Sequence, residues 1–177
     1  MTRNSELISE GSLQLSTLPA DFITPNIFTN FKITTEPSSC NKVSEVCSRF
    51  IIEFDPTNDF AASSDDGGLL VTLPAVGSDS DGFSYLQGSE CVLERTAIGA
   101  ANVNSCELNT VTETVKITHG INIDSQDLGR IKIVLSEIVL PPSTKPTESF
   151  HIKSYQGDLA GQYYLYDETS EGFTYTA

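Results

Sequence analysis

From residue 27 onward, apolar and polar side chains alternate with period two, the spacing that places every second residue on one face of a sheet. In IFTNFKITT, Ile27, Phe31 and Ile33 read as one face and Asn30, Lys32 and Thr34 as the other. In SRFIIEF, Phe50, Ile52 and Phe54 oppose Arg49 and Glu53. Further strands are expected at LLVTL (69–73), CVLERTAI (91–98), TVTETVKIT (110–118), RIKIVLSEIVL (130–140), FHIKSY (150–155), YYLY (163–166) and FTYT (173–176). NDFAASSDDGG, GSDSDG, GINIDSQDLG and SYQGDLAGQ lie between them and supply the Gly, Asn and Asp that chain reversals use. No stretch has the 3.6-residue period of a three-turn helix. In RIKIVLSEIVL the apolar parity changes, from Ile131, Ile133 and Leu135 to Ile138 and Leu140. Either a bulge near Ser136 and Glu137 or a central strand apolar on both faces explains it.

About nine short strands without helices predict an all-β, immunoglobulin-like antiparallel β-sandwich, because paired strands need a second layer to bury their apolar face. A barrel is the alternative. The Pro/Ser/Thr run PPSTKPTE (141–148) could be an interdomain linker, but residues 149–177 are too few for a second core. It therefore reads as a Greek-key crossing between strands, with Pro ending the preceding one. Residues 1–20 are expected to form an N-terminal strand-forming arm and residues 21–177 one sandwich domain. The arm carries Leu7, Ile8, Leu13, Leu15 and Leu18, with Leu13 and Leu15 alternating with Ser12, Gln14 and Ser16.

Composition sharpens the class. Trp is absent, Met occurs once and 38% of residues are hydrophobic, which suits a strand-rich extracellular domain. With 10 basic and 24 acidic residues the formal charge is −14, so the summed field repels nucleic acid and anionic lipid headgroups. No apolar segment is long enough to span a bilayer, so membrane insertion is not expected. The N-terminus has no apolar signal core, so a secreted route requires a signal already removed or a longer precursor.

The four cysteines form two sequence-local pairs. Of three possible connectivities, short loops close at the smallest entropic cost, which favours Cys40–Cys47 and Cys91–Cys106. Four reduced, buried thiols are the alternative. Neither pair has zinc-site or CxxC spacing, and disulfides point to an extracellular or cell-surface location.

Patterns of the HExxH, GxSxG, Walker and GxGxxG kinds are absent, so no enzyme is expected and no catalytic residue is assigned. His119 precedes a turn glycine, and His151 alternates outward from Phe150 and Ile152; both read as solvated. No cofactor is expected apart from Ca2+, for which Asp55, Asp59, Asp79 and Asp81 are the weak candidate ligands. An EF-hand fails: aligning Gly82 with the invariant glycine puts Gly77 at the first ligand position and Gly88 where a bidentate Glu is needed. Ser143, Thr144 and Thr147 lie beside Pro in a loop of the composition that carries O-linked sugar, with an undecorated loop as the alternative. Asn104-Ser105-Cys106 is a rare Cys variant of the N-glycosylation acceptor, which a disulfide at Cys106 would obstruct.

IKIVLSEIVLPPSTKPTESFHIKSY followed by YYLYDETSEGFTYTA resembles the end of an immunoglobulin-like repeat of very large secreted or surface-displayed proteins of ciliated protists. The residues that carry the likeness are Pro141, Ser143, Thr144, Pro146, Thr147, Ser149, Phe150, Tyr166, Thr169, Gly172 and Thr174. It is strongest over 130–177, looser at NIFTNFKITT and LLVTLPA, and leaves residues 1–20 outside. The resemblance implies a structural or adhesive module, strung in tandem, with no catalysis or cofactor.

Two functions follow as expectations. One is a structural subunit of an extracellular fibril or surface array, a homopolymer in which the arm adds as a strand to the next copy. The other is a cell-surface adhesive module for a ligand or glycan, calcium-assisted, with Tyr155, Tyr163, Tyr164 and Tyr166 lining a solvent-facing cleft.

Overall fold

The computed structural model describes residues 25–62, 67–74, 82–95, 105–118, 121–123, 130–157 and 163–177, and among them there is no helix. The strands are β1 (Thr29–Glu36), β2 (Val46–Asp55), β3 (Phe60–Ala62), β4 (Gly67–Thr72), β5 (Ser84–Tyr85), β6 (Cys91–Arg95), β7 (Ser105–Asn109), β8 (Thr114–Thr118), β9 (Ile121–Ile123), β10 (Ile131–Val139), β11 (His151–Gly157) and β12 (Tyr163–Thr169). Sheet one runs β1-β2-β10, and the far side of β10 is shared by β6 and β5; sheet two runs β12-β11-β4-β8-β7. All these pairings are antiparallel. A small β3–β9 pair stands apart.

Alternation builds the core between the sheets. Phe50, Ile52 and Phe54 of β2, with Ile131, Ile133 and Leu135 of β10, meet Leu69, Val71, Val115, Ile117 and Ile152 of sheet two, all buried. Each such side chain contributes on the order of 1.5–3 kcal/mol when fully withdrawn from water. The expected sandwich is therefore present, with two antiparallel sheets packed face to face.

Several local expectations are corrected. In the first strand Ile27 is 57% exposed and Phe28 is buried. The pairing of β1 with β2 shifts register between Thr29 and Lys32, and Asn30 has φ 51°, so one extra residue re-aims the chain. Phe28 before the bulge and Phe31 after it both turn inward although their spacing is odd. The expected strand over 110–118 is a turn (110–113) followed by β8, with β7 before it. Ser105–Asn109 pairs with Thr114–Thr118, and the intervening turn has Asn109 Oδ1 accepting from Val111 N and Thr112 N, with Glu113 at φ 54°.

The change of parity in β10 is not the expected bulge against β2. Ser136 pairs with Arg49 and Ile138 with Cys47, so one residue on each strand, Glu137 and Ser48, falls between two partners without altering register. Glu137 has φ 53°, and its carbonyl accepts from Leu86 N (3.4 Å) and Ser89 Oγ (3.1 Å). Both strands thus switch core-facing residues at the same level: Phe50 gives way to Cys47, and Leu135 to Ile138.

The Pro/Ser/Thr run carries the chain from β10 in sheet one to β11 in sheet two, as a crossing loop should. Of the two strands expected near the end, YYLY lies in β12, whereas FTYT (173–176) forms no strand. Residues 173–177 lie instead beside the crossing loop, where Thr147 N donates to Tyr175 O (2.8 Å) and Phe150 N to Phe173 O (2.7 Å). Phe173 stacks on Phe31 at 4.5 Å, and Tyr175 packs against Phe50 and Phe83, so the terminal segment caps the core with aromatic rings.

Both expected disulfides are present. Cys40–Cys47 is buried and ties the loop after β1 to the start of β2. Cys91–Cys106 joins β6 of sheet one to β7 of sheet two.

Candidate functional site

The outer edge of β12 receives the chain as it leaves residue 25. Asn26 forms a parallel bridge with Asp167: Asn26 N donates to Tyr166 O (3.2 Å), and Glu168 N donates to Asn26 O (2.8 Å). Phe28 N then donates to Thr169 Oγ1 (3.0 Å) before the chain crosses into β1. Residues 26–28 therefore run parallel to β12, from the level of Asp167 to that of Thr169. The arm residues Leu7, Ile8, Leu13, Leu15 and Leu18 lie outside the described residues.

Asp167, which the sequence reading did not single out, secures this edge. It is fully buried; Oδ2 accepts from Thr57 N (2.9 Å) and Asn58 N (3.0 Å), and Oδ1 accepts from Asn58 Nδ2 (2.9 Å). Burial pushes its carboxyl above the ordinary range, while the Asn58 and Thr57 donors act in the opposite direction. The partners are some 110 residues apart in sequence, and DPTND carried no periodic signal that could have linked them.

On the outer face of sheet one, Ile51 and Val134 are register partners and only 3% and 6% exposed, although they point away from the core. Arg49 lies one row above them and Glu94 one row below. Arg49 bonds both Glu36 (2.6 Å) and Glu94, and Lys132 reaches Glu94 at 2.7 Å, so charged side chains cross the apolar row and cover it with their stems. The Lys132 hydrogen bond, aided by Arg49, holds the Glu94 carboxyl below its ordinary value.

At the end of the sandwich opposite the Tyr163 end of β12, Val43, Val46, Leu86 and Val111 are exposed. Leu86 follows the two-residue edge strand β5, and Val111 tips the β7–β8 turn at 91% exposure. The Tyr85 hydroxyl, on the core side of β5, is buried without a hydrogen-bond partner. Burial raises its pKa, with the nearby Glu113 charge adding to the shift.

The chemical candidates fare unevenly. Asp55 accepts from Asn30 Nδ2 (2.7 Å) and Arg130 Nε (3.3 Å), Asp59 is exposed, and Asp79 and Asp81 lie outside the described residues. No cluster of three or more metal-ligating side chains occurs among the described residues. His119 lies outside them; His151 Nε2 sits 2.9 Å from Glu168 Oε1 at a half-exposed position. The expected tyrosine cleft is corrected at Tyr155, which is buried over Gly68; a Cβ at Gly68 would collide with Ile117 O and come within 3.1 Å of the Tyr155 hydroxyl. Tyr166 donates to Gln156 Oε1 (2.7 Å), and the side chains of Tyr163 and Tyr164 lie outside the described residues. In the crossing loop Thr144 is exposed and Ser143 partly so, but Thr147 is 5% exposed and its hydroxyl bonds Glu148 O and Tyr175 N, which leaves no room for a sugar there.

No helix among the described residues is long and apolar enough to cross a membrane. No family model, curated protein or solved structure matches the chain.

Proposed function

We propose that this chain is a structural subunit of an extracellular fibril or surface array: an immunoglobulin-like sandwich whose N-terminal arm adds as a strand to the next copy. The observation that supports the reading is the parallel bridge of Asn26 to Asp167, which lays the residues that follow the arm along the edge strand β12 as an added strand. A segment bearing Leu7, Ile8, Leu13, Leu15 and Leu18 is too apolar for a solvated tail, and pairing on a sheet edge both hides those leucines and covers an edge otherwise open to random pairing. A head-to-tail contact of this kind need not close, so it propagates a filament.

Strand order supports the immunoglobulin-like part. In chain order β1, β2, β4, β5 with β6, β10, β11 and β12 take the places of strands A to G, giving A-B-E-D and G-F-C sheets. The β7–β8 hairpin is an addition between the fourth and fifth of these, laid beside β4. Two disulfides support an oxidising, extracellular setting and a repeat-like module of the kind that the residue 130–177 pattern resembles.

Negative-stain imaging of the full chain beside a chain lacking residues 1–18 tests the proposal. Filaments are expected from the first, and folded single heads from the second, with circular dichroism confirming the fold. Polymerisation of the truncated chain, or an intact chain that stays monomeric with its arm protected from proteolysis, overturns it.

A further inference from the structure

We infer that the outer face of sheet one is a self-association surface, on which two copies pack face to face about a twofold axis parallel to the strands. The contact uses none of residues 1–28, so it is independent of strand addition. Register lays the face out in four levels. At one of them Lys32, Glu53, Lys132 and Glu94 are successive partners across β1, β2, β10 and β6, so charge runs plus, minus, plus, minus. Such a row over four strands is its own complement. A half-turn about an axis between β2 and β10 exchanges β1 with β6 and β2 with β10, which sets Lys32 opposite Glu94 of the second copy and Glu53 opposite Lys132. On one side of that level Asp55 lies beside Arg130 (3.3 Å), and the same half-turn sets Asp55 opposite Arg130 of the second copy. On the other side the level is Thr34, Ile51, Val134 and Val92, so Val92, 53% exposed on the edge strand β6, covers Thr34 of the second copy. At the last level Glu36 meets Glu90, which lies beside Ser136, and Arg49, 2.6 Å from Glu36, offsets this like-charge match.

Charge selects a second copy as the occupant. Within one copy the alternating level is only half used: Glu94 takes both Lys132 (2.7 Å) and Arg49, whereas Lys32 and Glu53 form no ion pair among the described residues although register sets them side by side. The half-turn gives both of them a partner. A surface of uniform sign, positive or negative, meets like charge at every second strand of this level, so only an alternating row fits it. The face is also where self-contact is least opposed. Among the described residues its four levels carry four basic side chains (Lys32, Arg49, Arg130, Lys132) against five acidic ones, Glu90 included, a net of −1 in a chain of −14. At physiological ionic strength, charges more than about 8 Å away are largely screened, so the local pattern decides the contact.

Strand spacing and rise make the face roughly 19 Å across four strands and roughly 20 Å along them. That is at the small end for a specific interface, so a single contact is weak and reversible. An isologous contact closes on itself and yields a dimer. Copies held in an array gain by repeating it, because each contact after the first forms at high effective concentration.

Zero-length carbodiimide coupling of the full chain, with isotopically labelled and unlabelled copies mixed, tests this. Lys32 and Glu94 lie three strand spacings apart, roughly 14 Å within one copy, too far for an amide bond. A Lys32–Glu94 amide joining a labelled to an unlabelled chain is therefore expected, and being local it reads the same whether or not the arm builds filaments. Two charge-swap variants sharpen the result, with an unchanged near-ultraviolet spectrum confirming folding. Glu53→Lys sets like charge against Lys132 of the second copy, and Lys132→Glu does so against Glu53. Either variant alone should lower the yield of the amide roughly tenfold or more. An equimolar mixture of the two should restore it, since each supplies the charge that the other lacks. Coupling only within one copy, a yield that neither variant lowers, or a mixture that restores nothing overturns the proposal. Lys32–Glu36 amides between copies in place of Lys32–Glu94 place the axis across the strands, and they overturn it too.

Discussion

The two long sides of the sandwich are closed by different chemistry. On one side, β6 and β7 belong to different sheets and are joined by the Cys91–Cys106 disulfide. On the other, β1 and β12 are joined without a covalent bond: residues 26–28 run along β12, Phe28 drops into the core against Phe54 at 5.1 Å, and Asp167 holds the 57–58 turn. The covalent side can be lean; β7 buries little, and its alternate residues are exposed. The non-covalent side must bury a large ring and a carboxylate to hold the same kind of seam. It is also the side on which residues 25–28 enter the fold.

The largest expected effect comes from removing the ring. Phe28→Ala should cost roughly 3–5 kcal/mol in denaturant unfolding, the range for deleting a buried Phe. Hydrogen exchange should accelerate first at residues 26–28 and Glu168, while β7 and β8 keep their protection. Equal loss of protection on both sides would mean that the two seams are one cooperative unit.

Opening the covalent side should cost somewhat less. For a loop of 15 residues, the chain-entropy model gives about 3 kcal/mol for the Cys91→Ser, Cys106→Ser double variant. Its local signature is reversed, with faster exchange at β6 and β7 and none at residues 26–28. Cys40–Cys47 should survive mild reductant longer because both its cysteines are buried.

The smallest effect tests the carboxylate. Asp167→Asn keeps one acceptor oxygen but sets its amide against Asn58 Nδ2, at a cost of about 1–2 kcal/mol at neutral pH. The sign of its pH dependence follows from the raised carboxyl pKa. A group whose folded pKa is raised adds stability that is fully present below the unfolded value near 3.8 and is lost as pH rises through the folded value. The advantage of wild type over Asp167→Asn should therefore be greatest below pH 3.8 and shrink on raising the pH. An advantage that grows instead would show that the three N–H donors outweigh burial.

Some of this was legible along the chain. Period-two alternation marked β2, β4, β10 and β11, because a pleated strand writes its burial pattern directly into the sequence. The two disulfides followed from the low cost of closing short loops, and the crossing loop from the few residues left after it. TVTETVKIT misled because its central Thr-Glu suits an exposed strand face as well as a turn, and only pairing with Ser105–Asn109 distinguishes them.

What the sequence by itself determined is thus the class of fold: all-β, two apolar faces that must meet, and cysteines close enough to pair. The tertiary structure alone decided the bulge at Asn30 and the paired breaks in alternation at Ser48 and Glu137, since each is set by what the neighbouring strand requires. It alone hid Ile51 and Val134, because register places Arg49 and Glu94 on either side of them, and it alone joined Asp167 to Thr57 and Asn58 across more than a hundred residues. Alternation is a property of one strand and can be read locally, whereas register, edge and seam are relations between strands and exist only once the chain has closed on itself.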